Sequence, residues 1–352
     1  IQLMTTVSPH LAQLKKEGES GRRRITQYTR YGTVILATFQ GLGIAVGLEG
    51  MTGSQGSAVL DPGLAFRAVT VITLVGGTIF LMWLGEQITA RGVGNGISLI
   101  IMAGIVAELP AAMASTLELG RTGALSALFI ILLMGMTVAV IAFIVFVERA
   151  QRRLLVQYPK RQVGNRMSGG ESTHLPLKLN TAGVIPPIFA SSLLLLPITA
   201  MSFSANSGPD WLGNVAAMLS RGSPGYLLLY ISLIVFFAFF YTSVVFNPED
   251  TADNLKKNNG FIPGIRPGKN TAEYIDYVLR RLTTAGAVYL SAVCVLPEIL
   301  ISQYAVPFYF GGTSLLIVVN VNMDFVAQVH SHLLAQQYEG LIKKTRLRGR
   351  RG

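Results

Sequence analysis

Leu125–Val147 reads LSALFIILLMGMTVAVIAFIVFV, an apolar stretch that contains no charged residue. A helix needs about 20 apolar residues to cross the hydrocarbon core of a bilayer. The apolar residues are continuous and do not alternate with polar ones, which favours a helix over a strand. Backbone inside lipid must also form helices or a closed barrel, because no water is present to hydrogen-bond with it. The stretch therefore predicts a transmembrane helix.

Seven further stretches share this apolar character. The 352-residue chain is 51% hydrophobic and only 13% charged, whereas a soluble domain carries about a quarter charged residues. We therefore predict an all-α polytopic membrane protein with eight complete spans. The other seven are Tyr28–Leu48, Phe66–Thr89, Gly96–Met113, Gly183–Phe203, Tyr226–Phe246, Thr283–Ile301 and Thr313–Leu334.

The basic residues predict the orientation of these spans. All but four of the 29 lysines and arginines fall in the clusters Lys15–Arg30, Arg149–Lys178, Lys256–Arg281 and Lys343–Arg351. An even number of predicted spans separates neighbouring clusters, so all four clusters lie on one side of the membrane. The positive-inside rule makes this side cytoplasmic and places both termini there. The net charge of +11 also suits contacts with anionic lipid headgroups or ribosomal RNA.

Two of the predicted cytoplasmic loops, Glu148–Asn180 and Asn247–Leu282, are much longer than a usual connection. Ordered loops of this length commonly protrude for a functional reason, and plain flexible linkers are the alternative. The second loop contains GFIPGIRPG at residues 260–268. Because proline and glycine fix tight turns, we expect Arg266 to be held at the tip of that loop.

The third and fifth spans contain residues that interrupt regular helices. In the third span Pro110 follows Ile97–Leu109, and Gly183, Pro186 and Pro187 open the fifth. Such residues often mark bends that line a cavity. A short tilted helix is the plainer interpretation of the third span.

The sequence lacks the motifs of common enzymes. It contains no Walker loop, no HExxH and no GxSxG, and Cys294 is the one cysteine. His330 and His332 are two residues apart and do not share a helix face. We therefore predict no enzyme activity, no cofactor and no metal site.

A small-solute secondary transporter is the alternative function for a protein of this class. It would need ionisable groups at a mid-membrane binding site. The spans carry almost none, and Asp324 in the last span is the deepest acid. We interpret Asp324 as a packing partner for a neighbouring helix. An intramembrane enzyme would need paired catalytic groups, and Asp324 has no evident acidic partner.

Uncharged polar residues lie at several positions within the spans. Such groups join membrane helices through hydrogen bonds worth roughly 0.6–2 kcal/mol. Hydrogen bonds of that strength suit a contact between helices that closes and reopens. Permanent packing of the helices would explain the polar residues equally well. The residues are Gln40, Asn180, Ser191, Ser192, Asn320 and Asn322.

Five segments of the chain are distinctive, namely Leu14–Arg24, Phe80–Ser98, Ser172–Ser192, Phe246–Gly268 and Val306–Val319. They are similar to segments of the SecY family, whose members are channel subunits of the bacterial Sec protein translocon. The resemblance implies ten helices in two inversely related halves, clasped around an hourglass pore. The eight spans would be the third to the tenth helix, with residues 1–122 in the first half and 123–352 in the second.

The beginning of the chain departs from the family pattern. Ile1–Met4 resembles the end of a cut span. We therefore expect the first helix, the plug helix and most of the second helix to be missing from this sequence. Two of the six residues of the family's pore ring lie on that second helix, so only four can be assigned here.

The resemblance implies that the protein passes unfolded secretory polypeptides across the membrane and releases membrane segments sideways into the bilayer. A ring of isoleucines would seal the pore, because aliphatic side chains offer ions and water no hydrogen bonds. Its members here would be Ile97, Ile101, Ile188 and Ile317. The lateral gate would include Gln40, Asn180, Ser191 and Ser192.

The resemblance also implies partners for the two long loops. They would be docking sites for the SecA ATPase and for ribosomal RNA, through Arg161, Arg166, Lys256, Lys257 and Arg266. The channel would assemble with SecE and SecG subunits in the bacterial plasma (inner) membrane. It would also contact signal sequences, nascent polypeptides and membrane lipids. Because the chain has no nucleotide-binding motif, a partner must supply the energy of ATP or GTP.

Overall fold

The computed structural model describes residues 8–49, 52–53, 56–57, 59–123, 126–159, 161–163, 166–168, 172–202, 218–220, 222–304 and 312–348. Ten helices lie within this part of the chain. They are α1 (Pro9–Lys16), α2 (Glu19–Glu49), α3 (Leu64–Arg91), α4 (Gly96–Arg121), α5 (Ala127–Arg149), α6 (Ile185–Ser202), α7 (Pro224–Val245), α8 (Pro248–Lys257), α9 (Lys269–Tyr304) and α10 (Gly312–Arg348).

Seven helices of the described residues are long and apolar enough to cross a membrane, namely α2, α3, α4, α5, α7, α9 and α10. They coincide with seven of the eight predicted spans. The remaining prediction, the fifth span, corresponds to α6, whose described apolar stretch Ile185–Leu195 is shorter than the other seven. The all-α membrane fold expected from the sequence is therefore confirmed.

Several helices are longer than the spans that hydropathy predicts. Helix α4 continues through Pro110 to Arg121, so Pro110 does not end the third span. Helix α2 begins at Glu19 and α9 begins at Lys269, well before the apolar part of either helix. Apolar composition indicates which part of a helix lies in lipid. It does not indicate where the helix itself begins or ends.

Three of the membrane-spanning helices begin at polar caps. The Asn95 Oδ1 atom accepts from the backbone N–H of Ile97 at 3.1 Å. The hydroxyl oxygens of Ser126 and Ser223 accept from N–H groups in the first turns of α5 and α7. These side chains satisfy donors that have no partner inside the helix, and they fix where α4, α5 and α7 begin.

The first long loop folds into an antiparallel β-hairpin. Strand β3 (Gln151–Gln157) pairs with β6 (Ser172–Lys178), from Gln151 opposite Lys178 to Gln157 opposite Ser172. A second antiparallel ladder, β4 (Arg161–Val163) with β5 (Arg166–Ser168), lies between them in sequence. The remaining described ladder joins β1 (Thr52–Gly53) to β2 (Gly56–Ser57) in the connection between α2 and α3.

Two hydrophobic cores organise the described residues. The larger core combines α5, α6, α7, α9 and α10, and its fully buried residues include Ile144, Ala190, Ile234, Leu290 and Leu316. Helices α2, α3 and α4 pack in chain order beside it, and contacts of α2 with α6 and of α4 with α10 join the two groups.

The smaller core joins the two long loops. Leu154 and Val156 of β3 and Leu177 of β6 pack with Ile262 of the second loop and with Ile275 at the start of α9. The flexible-linker alternative is therefore wrong for residues 150–159, 172–179 and 247–282, because these parts of the two loops share one buried apolar interior. The positive-inside rule predicts that these residues lie on the cytoplasmic side, and the name cytoplasmic subdomain is used below for residues 150–159, 172–179 and 247–282.

Candidate functional site

A cavity of about 350 Å³ opens between the start of α4 and the helices α5, α6, α7 and α10. Its lining includes Asn95, Glu148, Asn180, Asn320 and Asp324. Asn95 follows Arg91, and Glu148 precedes the basic cluster that begins at Arg149. The cavity therefore lies at the end of the bundle that the positive-inside rule makes cytoplasmic.

Asn180 lies at the wall of this cavity and is only 4% exposed. Its Nδ2 atom donates to Oε1 of Glu148 at 2.7 Å and to the carbonyl oxygen of Gly183 at 3.1 Å. The hydroxyl of Tyr289 donates to the same Glu148 oxygen at 3.4 Å. Glu148 therefore joins the end of α5, the segment before α6 and α9 in one hydrogen-bond network.

Close backbone packing holds the same segment in place. The backbone N–H of Leu179 donates to the carbonyl of Ala150 at 3.0 Å, which extends the β3–β6 ladder. A Cβ atom on Gly286 of α9 would lie 2.9 Å from the carbonyl oxygen of Leu179, so a glycine allows this approach. Gly183 follows with φ +65°, and the irregular start expected for the fifth span is therefore present.

The four isoleucines proposed for a pore ring lie on three helices. Ile97 and Ile101 of α4 are 48% and 43% exposed. Ile188 of α6 is half-buried, and Ile317 of α10 is 8% exposed. Their sequence neighbours on α6 and α10, such as Ala190 and Leu316, pack in the same core, and α4 contacts α10. The structure thus brings together the helices that carry these residues.

The polar residues assigned to a lateral gate lie on α2, on α6 and in the segment before α6. Gln40 of α2 is half-buried, and α2 packs against α6. On α6 the Ser191 hydroxyl donates to the carbonyl of Ile188 at 3.0 Å, and Ser192 is exposed. Asn180 precedes α6 and uses its amide within its own network.

Backbone hydrogen bonds and exposed basic side chains characterise the cytoplasmic subdomain. Gln157 of β3 and Phe261 of the second loop form an antiparallel bridge. Lys256, Lys257 and Arg266 are exposed. The Thr271 hydroxyl donates to the carbonyl of Arg266 at 3.0 Å. The backbones of Arg161 and Arg166 lie in β4 and β5, while their side chains lie outside the described residues.

Sequence reasoning missed the roles of Glu148, Tyr289 and Gly286. The sequence identifies Glu148 only as the first residue of a long loop, and nothing in a hydropathy pattern connects it with a tyrosine far along the chain. An acid that directly ends an apolar run is the one signal that could have drawn attention to it. Asp324 is exposed at the cavity wall, and its interpretation as a packing partner for a neighbouring helix stays a prediction. No cluster of metal-ligating side chains occurs among the described residues.

We compared the chain with family models, with protein sequences and with solved structures, and all three comparisons find the same kind of protein. The family model described as SecY matches residues 1–326. The protein translocase subunit SecY of Escherichia coli K12 is 58% identical over 350 residues, which cover 99% of this chain and 79% of that protein. The corresponding subunit of Rickettsia conorii is 56% identical over 348 residues, covering 99% of this chain and 80% of that protein.

Solved structures share the fold. A structure described as a protein-conducting channel has a TM-score of 0.65 at 17% identity, covering 88% of this chain and 74% of that one. A structure of a SecY protein, reported for its plug domain and closed state, also has a TM-score of 0.65, at 18% identity. From the match to the family model and the identity to its members, we conclude that the chain belongs to the SecY family.

Proposed function

We propose that this chain is the channel-forming subunit of a Sec-type protein translocase, which passes unfolded polypeptides across the membrane and releases apolar segments sideways into lipid. The observation that carries the proposal is the 58% identity to a protein translocase subunit over 99% of the chain. Residues 1–122 and 123–352 would be the two halves of the clamshell. The chain itself would be no enzyme, and a partner would supply the energy.

The pore ring is the first part of this proposal. Ile97, Ile101, Ile188 and Ile317 would form an aliphatic constriction that a passing chain displaces. The exposure of Ile97 and Ile101, 48% and 43%, supports a position on an open passage. An apolar constriction resists ions because it cannot replace their hydration shell.

The lateral gate is the second part. The contact between α2 and α6 would open toward lipid, with Gln40, Asn180, Ser191 and Ser192 setting the free energy of opening. Leucine, isoleucine, phenylalanine and valine each favour insertion by about 0.3–0.6 kcal/mol. A signal sequence with ten or so such residues would therefore outweigh a few hydrogen bonds of about 1 kcal/mol each.

The cytoplasmic subdomain would dock SecA and the ribosome. Lys256, Lys257 and Arg266 offer exposed positive charge, and Arg161 and Arg166 belong to the basic cluster of the first long loop. SecE and SecG would complete the channel. The protein would reside in the bacterial plasma (inner) membrane with both termini in the cytoplasm, because the basic clusters share one side.

The solute-transporter alternative finds less support. The described cavity opens at the cytoplasmic end of the helices, and its acids Glu148 and Asp324 lie there as well. A carrier would instead place its binding groups near the membrane midplane.

Site-specific photocrosslinking tests the channel proposal. A photoreactive amino acid replaces Ile188 or Ile317, and a client polypeptide is arrested midway through export. We expect crosslinks from both positions to the arrested client. The matched control replaces Leu229 of α7, which is 39% exposed and belongs to none of the proposed pore positions. Equal crosslinking from Leu229, or none from the isoleucines, would contradict the proposal.

A further inference from the structure

Helix α3 meets the start of α4 backbone to backbone at a pair of glycines. Gly85 is the buried residue of α3. A Cβ atom built on Gly85 would lie 2.8 Å from Cγ1 of Ile97 and 3.3 Å from its backbone nitrogen. A Cβ atom on Gly96 would collide with the carbonyl oxygen of Gly85. Only residues without a side chain permit this approach.

Hydrogen bonds fix the same junction. The Thr89 hydroxyl donates to the carbonyl of Gly85 at 2.8 Å and accepts from the N–H of Gly96 at 2.8 Å. The Asn95 side chain accepts from the N–H of Ile97. The backbone that carries Ile97 is therefore held by α3 on one side and by its own N-cap on the other.

The Ile97 side chain has one face against the α3 backbone, yet it remains 48% exposed. Any side chain at position 85 would occupy the space that Ile97 now fills. Because the backbone of Ile97 is held in place, the side chain would have to move outward, away from α3.

We propose that Gly85 is a positioning residue for the pore ring: by allowing Ile97 to pack against α3, it sets how far Ile97 projects into the channel. This inference rests on the proposed function, since it takes Ile97 to be a ring residue. It adds a residue of α3, a helix that contributes no member to the proposed ring.

Single-channel conductance of the complex, purified with its partner subunits and opened by a signal peptide in a planar bilayer, tests the proposal. Gly85→Ala places a methyl group against Ile97 and is expected to lower the conductance by about twofold or more, because a ring that projects further is narrower. Ile97→Ala removes most of the Ile97 side chain and is expected to raise the conductance.

The double variant separates positioning from general damage to the fold. If Gly85 acts through Ile97, adding Gly85→Ala to Ile97→Ala should leave the conductance of Ile97→Ala unchanged. Such non-additivity is the mark of residues in contact. Gly76→Ala and Gly77→Ala are matched controls on the same helix, since a Cβ atom at either position has no neighbour within 4 Å. Both should conduct normally.

Each outcome has a distinct meaning. An unchanged or raised conductance in Gly85→Ala would overturn the role of Gly85 while the ring assignment stands. The same would follow if Gly85→Ala lowered the conductance of the Ile97→Ala variant as much as it lowers that of the parent. No effect of Ile97→Ala would refute the ring assignment and the inference with it.

If Gly85→Ala fails to assemble, Thr89→Val tests the same junction without adding atoms. It removes the hydrogen bond that the Thr89 hydroxyl accepts from the N–H of Gly96. We then expect conductance to differ from the parent by about twofold, with Thr89→Ser, which keeps the hydroxyl, restoring it. A parental conductance in Thr89→Val would overturn the proposal in that case.

Discussion

Gln157 and Phe261, on different long loops, form a reciprocal pair of backbone hydrogen bonds. The N–H of Gln157 donates to the carbonyl of Phe261 at 2.9 Å, and the N–H of Phe261 donates back at 3.0 Å. The pair extends the β-hairpin of the first loop into the second, next to the shared core of Val156 and Ile262. The two basic loops are thus parts of one folded unit.

Gly260→Val should disrupt this unit. A Cβ atom at Gly260 would lie 2.9 Å from Cε1 of Tyr158 and 3.2 Å from Cγ1 of Val156. The added side chain must therefore push the loops apart, at a cost of about 1–3 kcal/mol for overpacking. Limited proteolysis of membrane vesicles should cleave the second loop several times faster. The control is Asn258→Val, at an exposed neighbouring residue. Equal rates of proteolytic cleavage in the two variants would contradict the prediction.

Arg266→Glu should impair export driven by SecA without preventing insertion of the chain itself into the membrane. Arg266 is exposed, and its carbonyl is held by the hydroxyl of Thr271, so the reversed charge alters the surface and leaves the loop folded. Reversal at an interface rim typically slows association. The measurement is export of a reporter into inverted vesicles. The control is Arg121→Glu, in a loop that is predicted to lie on the opposite side of the membrane. Normal export by Arg266→Glu would remove this residue from the docking surface.

Asn180→Leu should change the hydrophobicity that a signal sequence needs for export. The substitution removes the 2.7 Å hydrogen bond from Asn180 to Glu148 and leaves the longer one from Tyr289. A hydrogen bond to a charged group contributes about 1.5–3 kcal/mol. The segment before α6 should become less firmly held, which alters the free energy of opening at the α2–α6 contact. A series of signal sequences with increasing leucine content measures the threshold. Thr181→Val, one residue away, should leave it unchanged; an unshifted threshold in Asn180→Leu would count against the gate assignment.

The Arg67–Glu49 ion pair should contribute more to stability than the Arg121–Glu118 pair. Glu49 is only 11% exposed and accepts from both Arg67 at 2.6 Å and the backbone N–H of Gly63 at 3.1 Å. Glu118 is 56% exposed and bonds to a neighbour on its own helix. Double-mutant cycles on thermal unfolding in detergent should give a larger coupling energy for the first pair than for the second. The reverse order would refute this comparison.

Hydropathy predicted the membrane helices well because burial in lipid depends on local apolar length. It failed at helix ends that leave the membrane, such as Glu19 and Lys269, where helices continue as parts of extramembrane structure. The predicted third span already ran through Pro110 to Met113, and α4 continues to Arg121, because a proline inside a long membrane helix can be accommodated by its neighbours.

The candidate site was predictable only in part. The family resemblance supplied Ile97, Asn180 and Arg266 by position, but it gave no information about what each side chain contacts. The pairing of Asn180 with Glu148 joins residues 32 positions apart, and Tyr289 lies 141 positions from Glu148. No local periodicity encodes contacts at such separations.

The sequence by itself determined that the chain crosses a membrane repeatedly, and it predicted that the basic clusters share one side, because apolar length and charge act on each segment separately. Tertiary structure decided that two distant loops form one subdomain, that Asn180 is bound to Glu148, and that Ile97 rests on Gly85. These relationships depend on how closely helices and loops approach, and that distance is set only when the whole chain packs.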